Sequence, residues 1–144
     1  MRKTEFLVEA CDPKVLTVGE MMQDAVFTCN SRSDALTISR LMTHRNFGSL
    51  PVVKGDRTLV GLVSEHDLLQ AIIEGRDLRK VKVVKIMNSK PVTVTEDIKL
   101  EEVANLFKDR HLIRVPVVRK GKLVGILSRR DVLFGYNKAS LYRS

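Results

Sequence analysis

A serine that directly follows a short apolar run beginning with glycine, and that has an aspartate three residues later, occurs twice in this chain. The pairs are Ser64 with Asp67, in Gly-Leu-Val-Ser-Glu-His-Asp, and Ser128 with Asp131, in Gly-Ile-Leu-Ser-Arg-Arg-Asp. This spacing predicts a capping box at the start of a helix. The same arrangement suits a ligand, because a helix N-terminus attracts phosphate and a carboxylate accepts hydrogen bonds from ribose hydroxyls. From the residues alone, helix cap and ligand site are both open.

The two motifs belong to an internal repeat that covers most of the chain. A shift of 65 residues aligns Met22 with Met87 and the Pro-Val-Val run at Pro51 with the one at Pro116. After a gap of one residue, a shift of 64 aligns the serine and aspartate pairs. This ordered set of coincidences indicates a duplication. The predicted divisions are a lead-in at 1–14, a first repeat at 15–75, a basic connector at 76–82, a second repeat at 83–136 and a tail at 137–144.

Each repeat has the pattern of a β-α-β-β-α unit, which predicts an α+β fold. Short β-rich runs at 26–29 and 92–95 precede amphipathic helices, with Ser33 and Asp97 as expected N-caps. Two strands joined by a glycine-containing turn follow in each repeat, at 49–53 and 59–64 and again at 114–118 and 123–128. The prolines at positions 51 and 116 are expected at a strand start or edge. Since one unit has a helix pair and a small sheet that cannot cover itself, two units packed sheet to sheet are expected to share a core.

Composition places the chain among globular proteins, with 44% hydrophobic and 29% charged residues. No apolar run approaches the roughly 20 residues that span a bilayer. The N-terminal apolar stretch is too short and too acidic for a signal peptide, so we expect no membrane association and a cytoplasmic location. Cys11 and Cys29 form neither a CxxC pair nor a Cys/His cluster, so the sequence predicts no metal site and no disulfide framework.

The net charge of +8 is unevenly distributed. Residues 1–75 contain 8 Lys/Arg and 10 Asp/Glu, whereas residues 76–144 contain 17 and 7. A basic half is compatible with a nucleic acid, an acidic lipid, a small polyanion or an ordinary solvated surface. Aromatic residues make up only 5% and tryptophan is absent, which argues against a base-stacking platform. Nucleic-acid binding is therefore the alternative function.

The sequence lacks the residue constellation of an enzyme. His44, His66 and His111 are isolated, and no HExxH, P-loop or GxGxxG motif occurs. Ser64, His66 and Asp67 are sequence neighbours at a helix start, where they do not readily form a nucleophile, base and orienter relay. No catalytic residue and no cofactor is predicted.

The order of elements, with the Pro-Val-Val run and the Gly-x-x-Ser-x-x-Asp motif in both copies, resembles a tandem pair of cystathionine-β-synthase (CBS) domains, or Bateman module. The resemblance extends from about Val15 to Tyr136. It implies two repeats with pseudo-two-fold symmetry, packed sheet to sheet, and a homodimer. It also implies sensing of an adenine-containing ligand such as AMP, ADP, ATP, S-adenosylmethionine or NAD, and regulation of a partner protein that the sequence does not identify.

The resemblance further implies two clefts, each built from both repeats. The first is predicted to combine Ser64, Asp67, Val92, Thr93, Ile113 and Arg114. The second is predicted to combine Ser128, Asp131, Phe27, Thr28, Gly48 and Ser49. Adenine would lie against Val92 or Phe27, and Arg114 and Arg130 would meet phosphates in the first cleft. A module that has lost its ligands and only associates through its apolar helices is the third possibility.

Overall fold

The computed structural model describes residues 13–24 and 26–141, which belong to two compact units. The central unit comprises residues 27–91. The terminal unit combines the residues up to 26 with those from 92 onward, so its leading segment and its hairpin are far apart in sequence. Each unit contains one antiparallel hairpin with helices around it, which confirms the α+β class. Most of the predicted lead-in at 1–14 and the end of the tail lie outside the described residues.

The hairpin strands and the helices before and after them follow the predicted order. In chain order they are α1 (Val18–Met21), α2 (Ala35–Arg45), β1 (Ser49–Val53), β2 (Leu59–Ser64), α3 (Glu65–Ile73), α4 (Leu100–Arg110), β3 (Arg114–Arg119), β4 (Lys122–Ser128) and α5 (Arg129–Leu141). Short 3₁₀ turns lie at Pro13–Val15, Leu78–Lys80 and Val83–Lys85. Helix α5 continues past the end of the second predicted repeat to Leu141.

The two hairpins have the same register. Ser49 at the start of β1 lies opposite Ser64 at the end of β2, and Arg114 at the start of β3 lies opposite Ser128 at the end of β4. The turn of the second hairpin passes through Lys120 with φ 52° and Gly121 with φ 79°, the left-handed backbone that tight hairpin turns require. The register therefore places the residue that opens each hairpin beside the serine that ends it.

The runs predicted as strands at 26–29 and 92–95 pair through one residue each, so the prediction of longer strands was wrong. In the central unit Cys29 forms a parallel bridge with Val52. The Cys29 N–H donates to the Pro51 carbonyl over 3.0 Å, and the Cys29 carbonyl accepts from Val53 N–H over 2.8 Å. Because the Pro51 carbonyl faces away from β2, the missing proline N–H lies on the hairpin edge, as predicted. Val94 forms the equivalent bridge in the terminal unit.

The predicted N-caps of α2 and α4 were wrong. Asp34 caps α2, and its side chain accepts from the Thr37 N–H over 2.8 Å. Ser33 lies one residue too early, and its carbonyl accepts from the Val83 N–H over 2.9 Å. The N-cap of α4 is Lys99, whose side chain makes no capping hydrogen bond.

In the terminal unit, the segment after α1 docks on β4 at a glycine. Gln23 and Ile126 exchange two backbone hydrogen bonds, both of 2.9 Å. A Cβ on Gly125 would lie 2.5 Å from Met22 Sδ, so only glycine admits this close approach.

The central unit repeats this docking with a different segment. Asn88 and Leu62 exchange two backbone hydrogen bonds of 2.9 Å, and a Cβ on Gly61 would lie 2.5 Å from Met87 Sδ. Each hairpin thus holds one docked segment, and in both cases the residue that bonds to the hairpin directly follows the methionine that the repeat alignment paired.

Each unit has its own hydrophobic core. The buried residues of the terminal core are Leu16, Val18, Met21, Met22, Val94, Val103, Phe107, Val115, Val117, Leu127, Val132 and Ala139. Those of the central core are Cys29, Ala35, Ile38, Met42, Leu50, Val52, Val63, Leu68, Val81 and Val83. The docked segments supply part of both cores, so they stabilise the hairpins that carry the serine and aspartate pairs.

Candidate functional site

The motif of the central unit forms a complete capping box at the start of α3. The Ser64 hydroxyl accepts from the Asp67 N–H over 3.2 Å, and Asp67 Oδ2 accepts from the Ser64 N–H over 2.8 Å. The Ser64 hydroxyl also donates to Asp67 Oδ2 over 3.0 Å. The sequence-predicted cap is confirmed.

The second carboxylate oxygen of Asp67 is not used by this cap. Within residues 13–24 and 26–141, no donor bonds to Asp67 Oδ1, and the side chain is only partly buried. Across the hairpin, the Ser49 hydroxyl is buried and makes no hydrogen bond to any described group. A buried hydroxyl without a partner costs about 1–3 kcal/mol, so such groups often mark a place that a ligand or water satisfies.

Two further predicted positions lie next to this motif. The Gly48 carbonyl accepts from the Glu65 N–H over 3.0 Å, which fixes the start of α3 beside the start of β1. Glu65 and His66 in the first turn are both exposed. This half-site therefore presents a carboxylate oxygen and a hydroxyl, with an acidic first turn.

The motif of the terminal unit has the same cap at the start of α5. Asp131 Oδ2 accepts from the Ser128 N–H over 2.9 Å, and the Ser128 hydroxyl accepts from the Asp131 N–H over 3.1 Å. Here the second oxygen is used as well, because Gln23 Nε2 donates to Asp131 Oδ1 over 3.2 Å. Asp131 is 2% exposed.

Arg114 lies beside this buried carboxylate. Its register partner is Ser128, and its side chain is partly buried. Burial lowers the pKa of the Arg114 guanidinium, and the nearby charge of Asp131 raises it. We name Gln23, Arg114 and Asp131 the Asp131 cluster.

An aromatic patch lies near the predicted adenine position of the central unit. Phe27 is 46% exposed, and its ring centroid is 5.4 Å from that of Phe47. The guanidinium of Arg45 lies 5.0 Å from the Phe27 centroid, within cation–π range. Thr28, the residue after Phe27, is partly buried. This patch offers an exposed ring face for a planar group.

The remaining predicted site residues belong to the terminal unit. Val92 is partly buried, whereas Thr93 and Arg130 are exposed and Ile113 is 62% exposed. The Ile113 carbonyl accepts from the Arg129 N–H over 3.0 Å, as the Gly48 carbonyl does in the central unit.

Each unit brings together one half of the predicted residues. The central unit contains Phe27, Thr28, Gly48, Ser49, Ser64 and Asp67, and the terminal unit contains Val92, Thr93, Ile113, Arg114, Ser128, Arg130 and Asp131. Because each predicted cleft draws on both units, the assembly of the clefts stays a prediction. Sequence reasoning missed Gln23 and Arg45. The repeat alignment could have drawn attention to Gln23, which follows Met22 as Asn88 follows Met87.

Comparison with known proteins decides the family. The model of the CBS domain matches residues 18–74 and 83–137. The chain belongs to the CBS-domain family. Its tandem CBS pair is similar to MK0525, an uncharacterized protein of Methanopyrus kandleri, with 30% identity over 120 residues. That alignment covers 82% of this chain and 61% of the relative, so the CBS pair spans less than two thirds of that protein's length.

Solved structures show the same fold. The crystal structure of CBSX2 in complex with AMP is 29% identical, has a TM-score of 0.77, and is matched over 87% of this chain and 98% of that one. The CBS domain pair of MJ0100, in complex with 5′-methylthioadenosine and S-adenosyl-L-methionine, is 25% identical with a TM-score of 0.75, over 85% and 98% of the two chains. Both relatives bind adenine-containing molecules.

The described part of this CBS pair has neither a candidate metal site nor a candidate membrane-spanning helix. Residues 13–24 and 26–141 contain no group of three or more His, Cys, Asp or Glu side chains that could hold a metal ion. No helix in that part is long and apolar enough to cross a membrane.

Proposed function

We propose that this CBS pair is a regulatory module that binds an adenine nucleotide or a related adenosine compound through Ser64 and Asp67. The observation that carries this proposal is the half-used carboxylate of Asp67 at the N-terminus of α3. Family membership and the AMP, methylthioadenosine and S-adenosylmethionine complexes of the relatives support the ligand class.

The chemistry of the half-site fits a ribose better than a bare phosphate. Asp67 Oδ1 can accept from the vicinal hydroxyls of a ribose, while Oδ2 stays in the capping box. The acidic first turn, with Glu65 next to Ser64, opposes a phosphate directly at this helix end. Phosphate recognition is instead proposed for Arg130, which is exposed. Arg114 is partly buried beside Asp131, so its predicted phosphate contact is the weaker of the two. Adenine contacts at Val92 or Phe27 stay predictions.

The module is proposed to act by regulation and not by catalysis. A ligand changes a conformational equilibrium only by binding one arrangement more tightly than another. The regulated protein and the cytoplasmic location stay predictions.

Self-association is proposed through the exposed apolar faces of two helices. On α3, Leu69, Ile72 and Ile73 are each more than half exposed, and on α5 Leu133 is 63% exposed. Such faces usually mark a protein interface, and a homodimer is the simplest symmetric way to cover them.

Polyanion binding is the second candidate, because one stretch of the central unit is strongly basic and exposed. Its exposed cationic residues are Arg76, Arg79, Lys80, Lys82, Lys85 and Lys90. The acidic Asp77 among them pairs with Arg79 over 3.2 Å. Binding to RNA that weakens steeply with added salt would support this candidate.

The test of the main proposal is calorimetric titration of the chain with AMP, ADP, ATP, S-adenosylmethionine and NAD. We expect saturable binding to at least one of them, weakened about tenfold to a hundredfold by Asp67→Ala because hydrogen bonds to a charged acceptor are lost. Asp34→Ala is the matched control, since it removes a helix-capping aspartate of the same unit outside the motif. No binding to any of the five ligands by a folded chain would sink the proposal.

A further inference from the structure

The two motifs differ in how many carboxylate oxygens the protein itself uses. In the central unit, both hydrogen bonds to Asp67 fall on Oδ2. In the terminal unit, the bonds to Asp131 are divided between Oδ2, which accepts from Ser128, and Oδ1, which accepts from Gln23. The same short motif therefore leaves an acceptor available in one unit and uses both oxygens in the other.

From this difference we infer that Asp131 is a structural residue, held by Gln23, and that the chain binds one nucleotide, at Asp67. The inference rests on the proposed function for its ligand and on the Asp131 cluster for its geometry. It makes Gln23 the residue that separates a ligand-binding motif from a structural one.

Burial supports the structural role of Asp131. Its side chain is 2% exposed, so a ribose would have to displace protein groups to reach it. A buried carboxylate needs charge and hydrogen-bond partners, and Asp131 has the Arg114 guanidinium nearby as well as the Gln23 amide. Removing those partners for a ligand would leave a buried charge poorly satisfied.

The Gln23 contact joins elements that are distant in sequence. Gln23 and Asp131 are 108 positions apart. The backbone of Gln23 already bonds to Ile126 of β4, and its side chain adds a bond to the first turn of α5. The cluster thus fixes the docked segment, the hairpin and α5 of the terminal unit to one another.

The equivalent residue of the central unit makes a different contact. Asn88 has the same two backbone bonds, to Leu62, but its side-chain Oδ1 accepts from the Lys90 N–H over 3.0 Å. Its side chain is one methylene shorter than that of glutamine, and it is exposed. Opposite the motif serine, the central unit has Ser49 where the terminal unit has Arg114, so no guanidinium stands at that position beside Asp67.

The test combines the stoichiometry of AMP binding with thermal unfolding of four variants of the full chain. For wild type we expect one AMP per chain. Asp67→Asn should weaken AMP binding about tenfold or more while the fold is retained, because asparagine still accepts from the Ser64 N–H. Gln23→Met keeps the side-chain length but removes the amide, so it should lower the unfolding temperature by roughly 2–4 °C and leave AMP affinity unchanged.

Asn88→Leu is the matched control for Gln23→Met and should not lower the unfolding temperature by a comparable amount. Asp131→Asn should lower it further than Gln23→Met, because it removes the negative charge that favours the partly buried Arg114 guanidinium. If Asp131→Asn does not fold, Gln23→Met carries the test alone. Two AMP molecules per chain, or loss of AMP binding in a folded Gln23→Met chain, would overturn the inference.

Failure of the proposed function gives a different result. Wild type would then bind no adenine ligand. The structural role inferred for Asp131 would be tested by the unfolding temperatures alone. Equal unfolding temperatures for Gln23→Met and Asn88→Leu would overturn the structural role of the Asp131 cluster. A lower value for Gln23→Met alone would support that role.

Discussion

The central and terminal units of this CBS pair share a hairpin, a docked segment and a capped helix, but they differ at the residues next to the cap. In the terminal unit the Gln23 side chain bonds to the motif aspartate. In the central unit the Asn88 side chain instead bonds to the backbone of Lys90, two residues further along. The apolar framework is nearly the same in both. Duplication thus preserved the packing positions, and the polar positions beside the motif are where the two units diverged.

The largest expected loss of stability, and the largest difference in that loss between the units, comes from truncating the docked methionines. Met22 is 1% exposed, whereas Met87 is only partly buried. Met22→Ala should lower the free energy of unfolding by about 2–5 kcal/mol, the usual cost of truncating a buried methionine, and Met87→Ala should lower it less. Urea denaturation followed by circular dichroism measures both. Equal losses would show that the two segments are docked equally tightly.

The glycines beneath those methionines should give the next largest effect. A Cβ on Gly125 would lie 2.8 Å from the Gln23 carbonyl, and one on Gly61 would lie 3.0 Å from that of Asn88. Gly125→Ala should therefore cost about 1–3 kcal/mol of unfolding free energy, and Gly61→Ala somewhat less.

Gly55→Ala is the control for these substitutions. No atom lies within 4 Å of a Cβ at this turn position, so the change should stay within about 0.5 kcal/mol. A cost at Gly55 similar to that at Gly125 would rule out close packing as the cause.

Substitutions at the N-caps of α2 and α4 are expected to give a smaller difference in stability between the units. Hydrogen bonds from the Thr37 N–H and then its hydroxyl hold the pKa of Asp34 below its ordinary value of 3.8. Because the folded-state pKa is lowered, Asp34 stabilises the fold above that ordinary value, and the contribution is lost as the pH falls through the lowered pKa. Asp34→Ala should thus destabilise the chain at pH 7 and have little effect at a pH below the lowered value.

Lys99→Ala is the comparison in the other unit. Lys99 makes no side-chain cap bond, so this substitution should have almost no effect at either pH. Thermal unfolding at the two pH values distinguishes the variants. A pH-independent loss for Asp34→Ala would contradict the capping explanation.

The smallest expected effect is at the bridge residues, Cys29 in the central unit and Val94 in the terminal unit. Valine already fills the equivalent position, so Cys29→Val should change the free energy of unfolding by less than about 1.5 kcal/mol. Burial raises the pKa of the Cys29 thiol to about 11, so the thiol stays neutral at pH 8. A Cys11→Ser chain should therefore be alkylated slowly by iodoacetamide at pH 8, and rapidly after denaturation. Rapid alkylation of the native chain would contradict the burial of Cys29.

Local patterns predicted much of the fold. The hairpins, the closing helices and the capping box of Ser64 and Asp67 follow from spacing and residue type, and the structure has them where they were predicted. The strand predictions at 26–29 and 92–95 failed because only one residue of each run pairs with the hairpin. Propensity marks residues that suit a strand, but it does not show how many will find a partner.

The candidate site was predictable only in part, because its distinguishing contact is non-local. The motif aspartates were found from the sequence. The hydrogen bond between Gln23 and Asp131, however, joins residues that are 108 positions apart in the sequence. No local pattern indicates that contact. The repeat alignment shows only that Gln23 and Asn88 are equivalent positions with side chains of different length.

The sequence order of the two units has a consequence for synthesis on the ribosome. The central unit is contiguous, so all of its segments are available once residue 91 has emerged. The leading segment of the terminal unit emerges first, yet its hairpin partner β4 ends only at Ser128. At about 5–20 residues per second, Leu16, Met21 and Met22 wait roughly 5–20 seconds for the strand that buries them. During that interval they form an apolar segment that a nascent-chain chaperone could bind, so the leading segment of the terminal unit is made before its hairpin and is packed only after the central unit is complete.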